Sequence, residues 1–226
     1  MTKEIKQQYF SGERALFGTN DVAIKHAVFL DGESPLKESE NVSIDESTFT
    51  YKYPVWNSVN TVMTNSKVEL EARAGFWYDN GLTIKDSVIM APKEIRNSQN
   101  VTVYDSFLSG KYLSWHAENI TFINCTIETE QGLCYLEHLT MKNCTMMNSD
   151  RVFEFCSNVD VEVNSHIESV KNVMSGTVRA ESIGKLVMDP TKVDVSRTKI
   201  ICSEIGEYTD HTEDDDSKVV EHYINS

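Results

Sequence analysis

Asn100 to Leu108 reads NVTVYDSFL, and one period later Asn119 to Ile127 reads NITFINCTI. Both run Asn, apolar, x, apolar, x, x, small, x, apolar. The phrase recurs as DVAIKHAVF (Asp21 to Phe29), NVSIDESTF (Asn41 to Phe49), NTVMTNSKV (Asn60 to Val68), GLTIKDSVI (Gly81 to Ile89), HLTMKNCTM (His138 to Met146) and NVDVEVNSH (Asn158 to His166). The small position runs through Ala27, Ser47, Ser66, Ser87, Ser106, Cys125, Cys144 and Asn164, in steps of 20, 19, 21, 19, 19, 19 and 20 residues. A period of this kind marks a stacked repeat, in which each unit buries its apolar face only against its neighbours.

Within each copy the apolar residues alternate, as in Val42 and Ile44 or Val101 and Val103. Alternation is the period of a strand, not of a helix. A fainter apolar column follows about half a period later: Leu36, Val55, Phe76, Ile95, Leu113, Leu133 and Phe153. Two strand-like pieces per period, with a turn between them, describe one coil of a β-solenoid. The column Asp21, Asn41, Asn60, Gly81, Asn100, Asn119, His138 and Asn158 supplies residue types that tolerate a left-handed backbone, as a stacked turn requires. The Ala, Ser and Cys column fits an inward bend with no room for a larger side chain.

Three solenoids compete. A left-handed hexapeptide helix needs strict six-residue units, and steps of 19 to 21 break that register. A leucine-rich repeat shares the strand signature, but its remaining residues pack as a helical segment. Here those residues read YKYPVWNS (Tyr51 to Ser58), EARAGFWYD (Glu71 to Asp79) and RVFEFCSN (Arg151 to Asn158), whose aromatic and β-branched content favours strands. The expected fold is therefore all-β, a single right-handed parallel β-helix. Residues 1–202 form the expected domain, with residues 1–19 capping the first coil and 169–202 supplying the C-terminal coils. Residues 203–226 are expected as an acidic tail: DHTEDDD (Asp210 to Asp216) as a solvated linker, then KVVEHYI (Lys218 to Ile224) as a docked element. Ile123 is expected to point into the core.

The 226 residues carry a formal charge of −14, from 35 acids against 21 bases, which repels a phosphate backbone and argues against nucleic acid. No apolar run is long enough to span a membrane, and TKEIKQQYFS (Thr2 to Ser11) lacks the layout of a secretory signal. Five cysteines with no C-x-x-C pair read as reduced thiols in a cytoplasmic protein rather than as a zinc or redox site. The histidines show no metal spacing, and no metal or cofactor is expected. No nucleotide-binding or nucleophile-elbow phrase occurs.

Candidate chemistry sits on the second strand. Its outward column is expected to read Lys37, Trp56, Trp77, Arg96, Ser114, Cys134 and Glu154, because stacking sets residues one period apart side by side. Trp56 and Trp77, flanked by Lys37, Arg73, Arg96 and Asp79, make an aromatic and charged patch. Flat rings beside bidentate donors suit sugars bearing hydroxyl or carboxylate groups. Asp79 and Glu33 are the nearest acids for proton transfer, although nothing in the sequence fixes a catalytic residue. The bland alternative is that the tryptophans cover the flank of the core beneath a loop or a second copy.

The coil phrase and the stretches DGESPLKES (Asp31 to Ser39), ARAGFWY (Ala72 to Tyr78), QGLCYLEHLTMKNC (Gln131 to Cys144) and VKNVMSGTVRAESIG (Val170 to Gly184) give the chain a family resemblance. It resembles uncharacterised bacterial proteins with the pectin-lyase-like right-handed β-helix fold, classed only as a domain of unknown function. The resemblance spans roughly residues 12 to 202 and implies the fold. It implies no activity, substrate or catalytic residue. It also implies longer relatives, with additional coils where APKEIRNSQN (Ala91 to Asn100) here passes directly into the later ones. Two functions are carried forward: a carbohydrate-binding or carbohydrate-modifying protein acting on an acidic or neutral glycan, and a non-enzymatic scaffold whose same face is a homodimer or partner surface.

Overall fold

The computed structural model describes residues 3–212 and shows a parallel β-helix whose coils stack in register. Eleven strands form its longest ladder: Lys3–Lys6, Asn20–Lys25, Glu40–Asp45, Val59–Thr64, Asn80–Lys85, Gln99–Tyr104, Glu118–Ile123, the first part of Glu137–Met147, Val159–Val163, Gly176–Arg179 and Thr198–Ile201. All the pairings are parallel, as they must be when each coil returns to the same face, and the right-handed course is the one that strand twist favours. Apart from two 3₁₀ turns, no helix occurs among the described residues.

Each coil has more faces than the two expected. The nine-residue phrase spans a corner: Gln99–Tyr104 lies on the long ladder and Phe107–Ser109 on a second ladder. Asp105, with φ 48°, and Ser106 make the bend between them. The small column works as a hydrogen-bonded stack at this bend. Ser47 Oγ accepts from Ala27 N at 3.1 Å, Ser66 Oγ from Ser47 N at 3.0 Å, and Ser87 and Ser106 continue the chain at 3.1 Å each. Each of these hydroxyls also donates to the carbonyl two residues earlier. Cys125 and Cys144 take the next two rungs, buried, with their thiols on backbone carbonyls. All five cysteines are free.

The third ladder contains Val55–Trp56, Ala74–Trp77, Lys93–Arg96 and Ser114–Trp115. Its inward residues close a continuous core. Val22, Ile24 and their equivalents alternate inward along the long ladder, and Leu36, Val55, Phe76, Ile95, Leu113, Leu133 and Phe153 are all buried. Phe10, Phe29 and Phe49 stack ring on ring at 4.8 and 4.4 Å. Burial of each such side chain stabilises by roughly 1.5–3 kcal/mol. Ile123 does not belong to this core. The inward positions of its strand are Ile120 and Phe122, both fully buried, while Ile123 pairs with Tyr104 and Lys142 on the half-buried outer side.

The ends also differ from expectation. Lys3–Lys6 pairs with the strand beginning at Asn20, setting Ile5 beside Ile24, and Tyr9–Phe10 pairs with Val28–Phe29. The segment expected to cap the first coil is therefore itself a coil. Ile205–Thr209 pairs with Ser182–Val187, so this part of the expected tail is a strand of the last coil. Glu213 to Asp216 and the segment Lys218 to Ile224 lie outside the described residues.

Candidate functional site

The outward column of the third ladder reads Trp56, Trp77, Arg96 and Trp115, paired in register across successive coils. Lys37 belongs to the coil before Trp56, with its Nζ 5.8 Å from the centre of the Trp56 ring. The Arg96 guanidinium lies 5.3 Å from the Trp77 ring in the same manner. Such cation–π contacts contribute about 0.5–1 kcal/mol at exposed sites. The Trp56 and Trp77 rings lie 5.5 Å apart, tilted by 51°. Tyr53 meets Trp56 edge-on at 5.0 Å, and Tyr78 lies nearly parallel to Trp56 at 6.2 Å. Trp77 is held by its indole N–H, which donates to the Lys93 carbonyl at 3.2 Å.

The charge of this face is positive, against the sign of the whole chain. Lys93 is half-buried, and burial first, then Arg73 and Arg96, hold its ammonium pKa below the usual lysine range. Arg73, Lys93 and Arg96 therefore form one cationic cluster beside Trp77. Arg73 is exposed at the end of a 3₁₀ turn, with φ 59°. Tyr53 and Tyr78 also adopt positive φ, 58° and 60°. A left-handed backbone costs a residue with a Cβ roughly 1–2 kcal/mol, and this conformation recurs at turns along the whole solenoid.

Five of the six expected site residues, Lys37, Trp56, Arg73, Trp77 and Arg96, share this face; Asp79 does not. It is 2% exposed and occupies a rung of a second core stack, Ser39, Ser58, Asp79, Ser98. Ser58 N donates to its Oδ1 at 2.7 Å, and its own N–H donates to Ser98 Oγ at 3.1 Å. Its Oδ2 has no partner, and burial pushes its pKa up to about 8. The carboxyl is a neutral core group, not a ligand contact. Steps of 19, 21 and 19 residues along Ser39, Ser58, Asp79 and Ser98 are the sequence signal for that position. Glu33 is engaged by Lys52 at 2.9 Å.

The expected outward column is also corrected in its later coils. Ser114 pairs with Ile95 and is fully buried, whereas Trp115 pairs with Arg96 and faces outward. A one-residue slip in this coil exchanges the faces, and the short step of 18 from Ile95 to Leu113 was its trace in the sequence. Cys134 is buried. Glu154 is 7% exposed and paired to the equally buried Lys171 at 3.2 Å. A second buried carboxyl, Glu94, escaped the sequence reading. Neither of its oxygens has a partner, and burial raises its pKa well above the usual range. Gly110 makes room for it: a Cβ there would stand 3.3 Å from Glu94 Oε1 and 2.5 Å from the Ala91 carbonyl.

Among the described residues, no group of three or more His, Cys, Asp or Glu side chains is placed to hold a metal ion. No helix among them is long and apolar enough to cross a membrane.

The family described as "Protein of unknown function (DUF3737)" matches residues 3–102 and 96–201. The two matched segments meet in the Lys93–Arg96 coil and its successor, where the ladders run without a break. Among solved structures the fold is similar to "PfbA, a surface adhesin of Streptococcus pneumoniae", with a TM-score of 0.57 at 8% identity over 89% of this chain and 71% of that one. A second structure of that adhesin aligns with a TM-score of 0.39 at 11% identity over 85% and 65% of the two chains. The first likeness is one of fold alone. No curated protein matches the sequence.

Proposed function

Since the chain belongs to the DUF3737 family, whose function is unknown, its activity has to be read from its surface, and we propose that it binds carbohydrate on the tryptophan and arginine face of the third ladder. The observation that carries this reading is the single register column of Trp56, Trp77, Arg96 and Trp115. Stacked coils repeat at roughly 4.8 Å, so a linear glycan lying along the solenoid meets an aromatic or guanidinium group at each coil it passes. Lys37 and Arg96 lie over the Trp56 and Trp77 rings, with Arg73 in the same cationic cluster, and carboxylates of an acidic sugar pair with them in charge-assisted bonds. Buried Asp79 and Glu94 do not reach this surface as acid and base, so the reading is binding, with no catalytic step assigned. The free thiols suit a reducing compartment, and the cytoplasm belongs to the same proposal.

One observation favours a second reading, a protein partner or second copy. The Trp56 and Trp77 rings are tilted by 51° and carry Lys37 and Arg96 over them, so the face is not a flat platform. The test is an array of uronic-acid and neutral oligosaccharides probed with the full chain, alongside a measurement of its mass in solution. Saturable binding by a monomer is expected, lost in Trp56→Ala/Trp77→Ala and weakened at least tenfold for acidic sugars in Lys37→Gln/Arg96→Gln. The second double variant removes charge with little packing and guards against misfolding of the first. Binding that survives both variants places the site elsewhere. A blank array with a dimer that protects Trp56 and Trp77 selects the partner surface.

A further inference from the structure

Further along the solenoid, the corner between the third and long ladders opens into a groove of about 530 Å³. This is within the range of small-molecule sites, roughly 300–1,000 Å³. One wall is a ladder of rings, His116, Tyr135 and Phe155. His116 stacks on Tyr135 at 4.8 Å and 23°, and Phe155 follows at 5.5 Å and 37°. All three residues have a left-handed backbone, with φ of 53°, 57° and 53°. The lining also includes Glu118 and Glu137, each two residues beyond a ring residue and paired with one another in register. Met174, 39% exposed, closes one end.

The groove's charge asks for a particular occupant. Among the described residues no lysine or arginine forms an ion pair with Glu118 or Glu137; the imidazole of His138 lies 4.0 Å from Glu137. Burial, and then Arg96, lower the His116 pKa, which favours its neutral ring. Stacked π faces in one groove with two carboxylates that lack a lysine or arginine partner bind a group that is at once flat, positive and rich in donors. A guanidinium meets all three conditions: it stacks on aromatic rings and bonds a carboxylate bidentately. A neutral ligand would cover the carboxylates without pairing them, at a cost.

We propose that the groove lined by His116, Tyr135 and Phe155 together with Glu118 and Glu137 binds a guanidinium group. The site is independent of the carbohydrate reading, since it uses other residues and a ligand of opposite charge. The test titrates benzylguanidinium and its neutral isostere benzylurea into the full chain, following ring-proton shifts by NMR. One saturable site is expected for the cation, with benzylurea at least tenfold weaker. Glu118→Gln/Glu137→Gln is expected to lower the cation's affinity at least tenfold while leaving benzylurea and the melting temperature unchanged. Tyr135→Asn, which suits the left-handed backbone, is expected to weaken both compounds. A Gly-Arg-Gly peptide that binds more tightly than benzylguanidinium assigns the group to a polypeptide, and weaker binding assigns it to a free small molecule. Equal affinities for cation and isostere, affinity unchanged in the Gln variant, or no saturation would overturn the proposal.

Discussion

The turn from the third ladder into the long ladder holds two left-handed corners three residues apart, which share a backbone conformation and differ in what they place there. At the first, Asp21, Asn41, Asn60, Gly81, Asn100, Asn119, His138 and Asn158 have φ between 53° and 79°. These are mostly the residue types that accept this region at low cost. Their side chains also bond from coil to coil: Asn41 donates to Asp21 at 3.1 Å, Asn60 to Asn41 at 3.1 Å and Asn119 to Asn100 at 3.1 Å. At the second, the equivalent column reads Glu38, Asn57, Tyr78, Asn97, His116, Tyr135 and Phe155, with φ between 51° and 60°. Three bulky rings and a histidine occupy positions that asparagine fills without strain. Ring stacking offsets part of that cost and no backbone requirement explains it. The difference separates a corner selected for folding from one selected for what it displays.

The comparison presumes one core beneath both corners, so the largest expected effect comes from breaking that core. Phe122→Asp places an unpaired charge among fully buried neighbours, and such a burial costs several kcal/mol, about the whole stability of a domain. The variant is expected to be insoluble or unfolded by circular dichroism. Ile123→Asp, one residue away on the half-buried outer side, is expected to fold with a melting temperature only a few degrees lower. Equal damage from both would show that the alternation has been assigned to the wrong face.

The buried stacks at the two ends of the long-ladder strands differ as well. At the bend into the second ladder the stack is Ser47, Ser66, Ser87 and Ser106; at the turn that carries both left-handed columns it is Ser39, Ser58, Asp79 and Ser98, where Asp79 replaces one serine and leaves Oδ2 unpartnered. With its folded-state pKa near 8 against 3.8 for the free group, Asp79 keeps its proton in the fold after the unfolded chain has lost it. Below pH 4 both states are protonated and there is no penalty. Between about pH 4 and 8 each unit removes up to about 1.4 kcal/mol of stability, and above that the penalty is constant. Asp79→Ser completes the stack, and its gain in melting temperature is expected to vanish near pH 4 and to be largest near pH 8. Glu94 retains a slope of the same sign. A gain that does not change with pH would show that Asp79 is ionised in the folded protein.

Much of this was legible in the sequence, because a solenoid repeats its constraints. The Asn column, the small column and the inward apolar columns each obey one period, and the structure places all three as that period requires. Trp56, Trp77 and Arg96 were legible as one outward column because outward and inward residues alternate. The failures share one cause, that periodicity locates a column but not its face when a coil slips. Leu113 looked like the inward residue after Ile95, yet Ser114 takes that register, and Trp115 was lost from the aromatic face. Asp79 was read by its charge as a surface group, although its spacing from Ser58 and Ser98 put it on a buried rung. The ring column of His116, Tyr135 and Phe155 left no compositional mark. It appears only when steps of 21, 19, 19, 19 and 20 are followed from Asn57.

The smallest effect is the most direct test of the contrast between the corners. Tyr78 is more exposed than Tyr135 and Phe155 of the same column, 48% accessible, with φ 60° and a loose stack on Trp56. In Tyr78→Asn the residue gains a backbone preference worth roughly 1 kcal/mol and loses a ring contact worth about 0.5–1.5 kcal/mol when well packed. At 6.2 Å this contact belongs at the weak end, so the variant is expected to be as stable as the wild type or slightly more so, and to bind any glycan less tightly. The reciprocal change, Asn119→Tyr at the first corner, incurs the same backbone cost of about 1–2 kcal/mol and breaks the side-chain bond to Asn100, with no ring stack to offset it. Denaturant unfolding of the two variants is therefore expected to move in opposite directions. If both lose stability alike, the rings at the second corner belong to the folding of the chain, and the display role assigned to them falls.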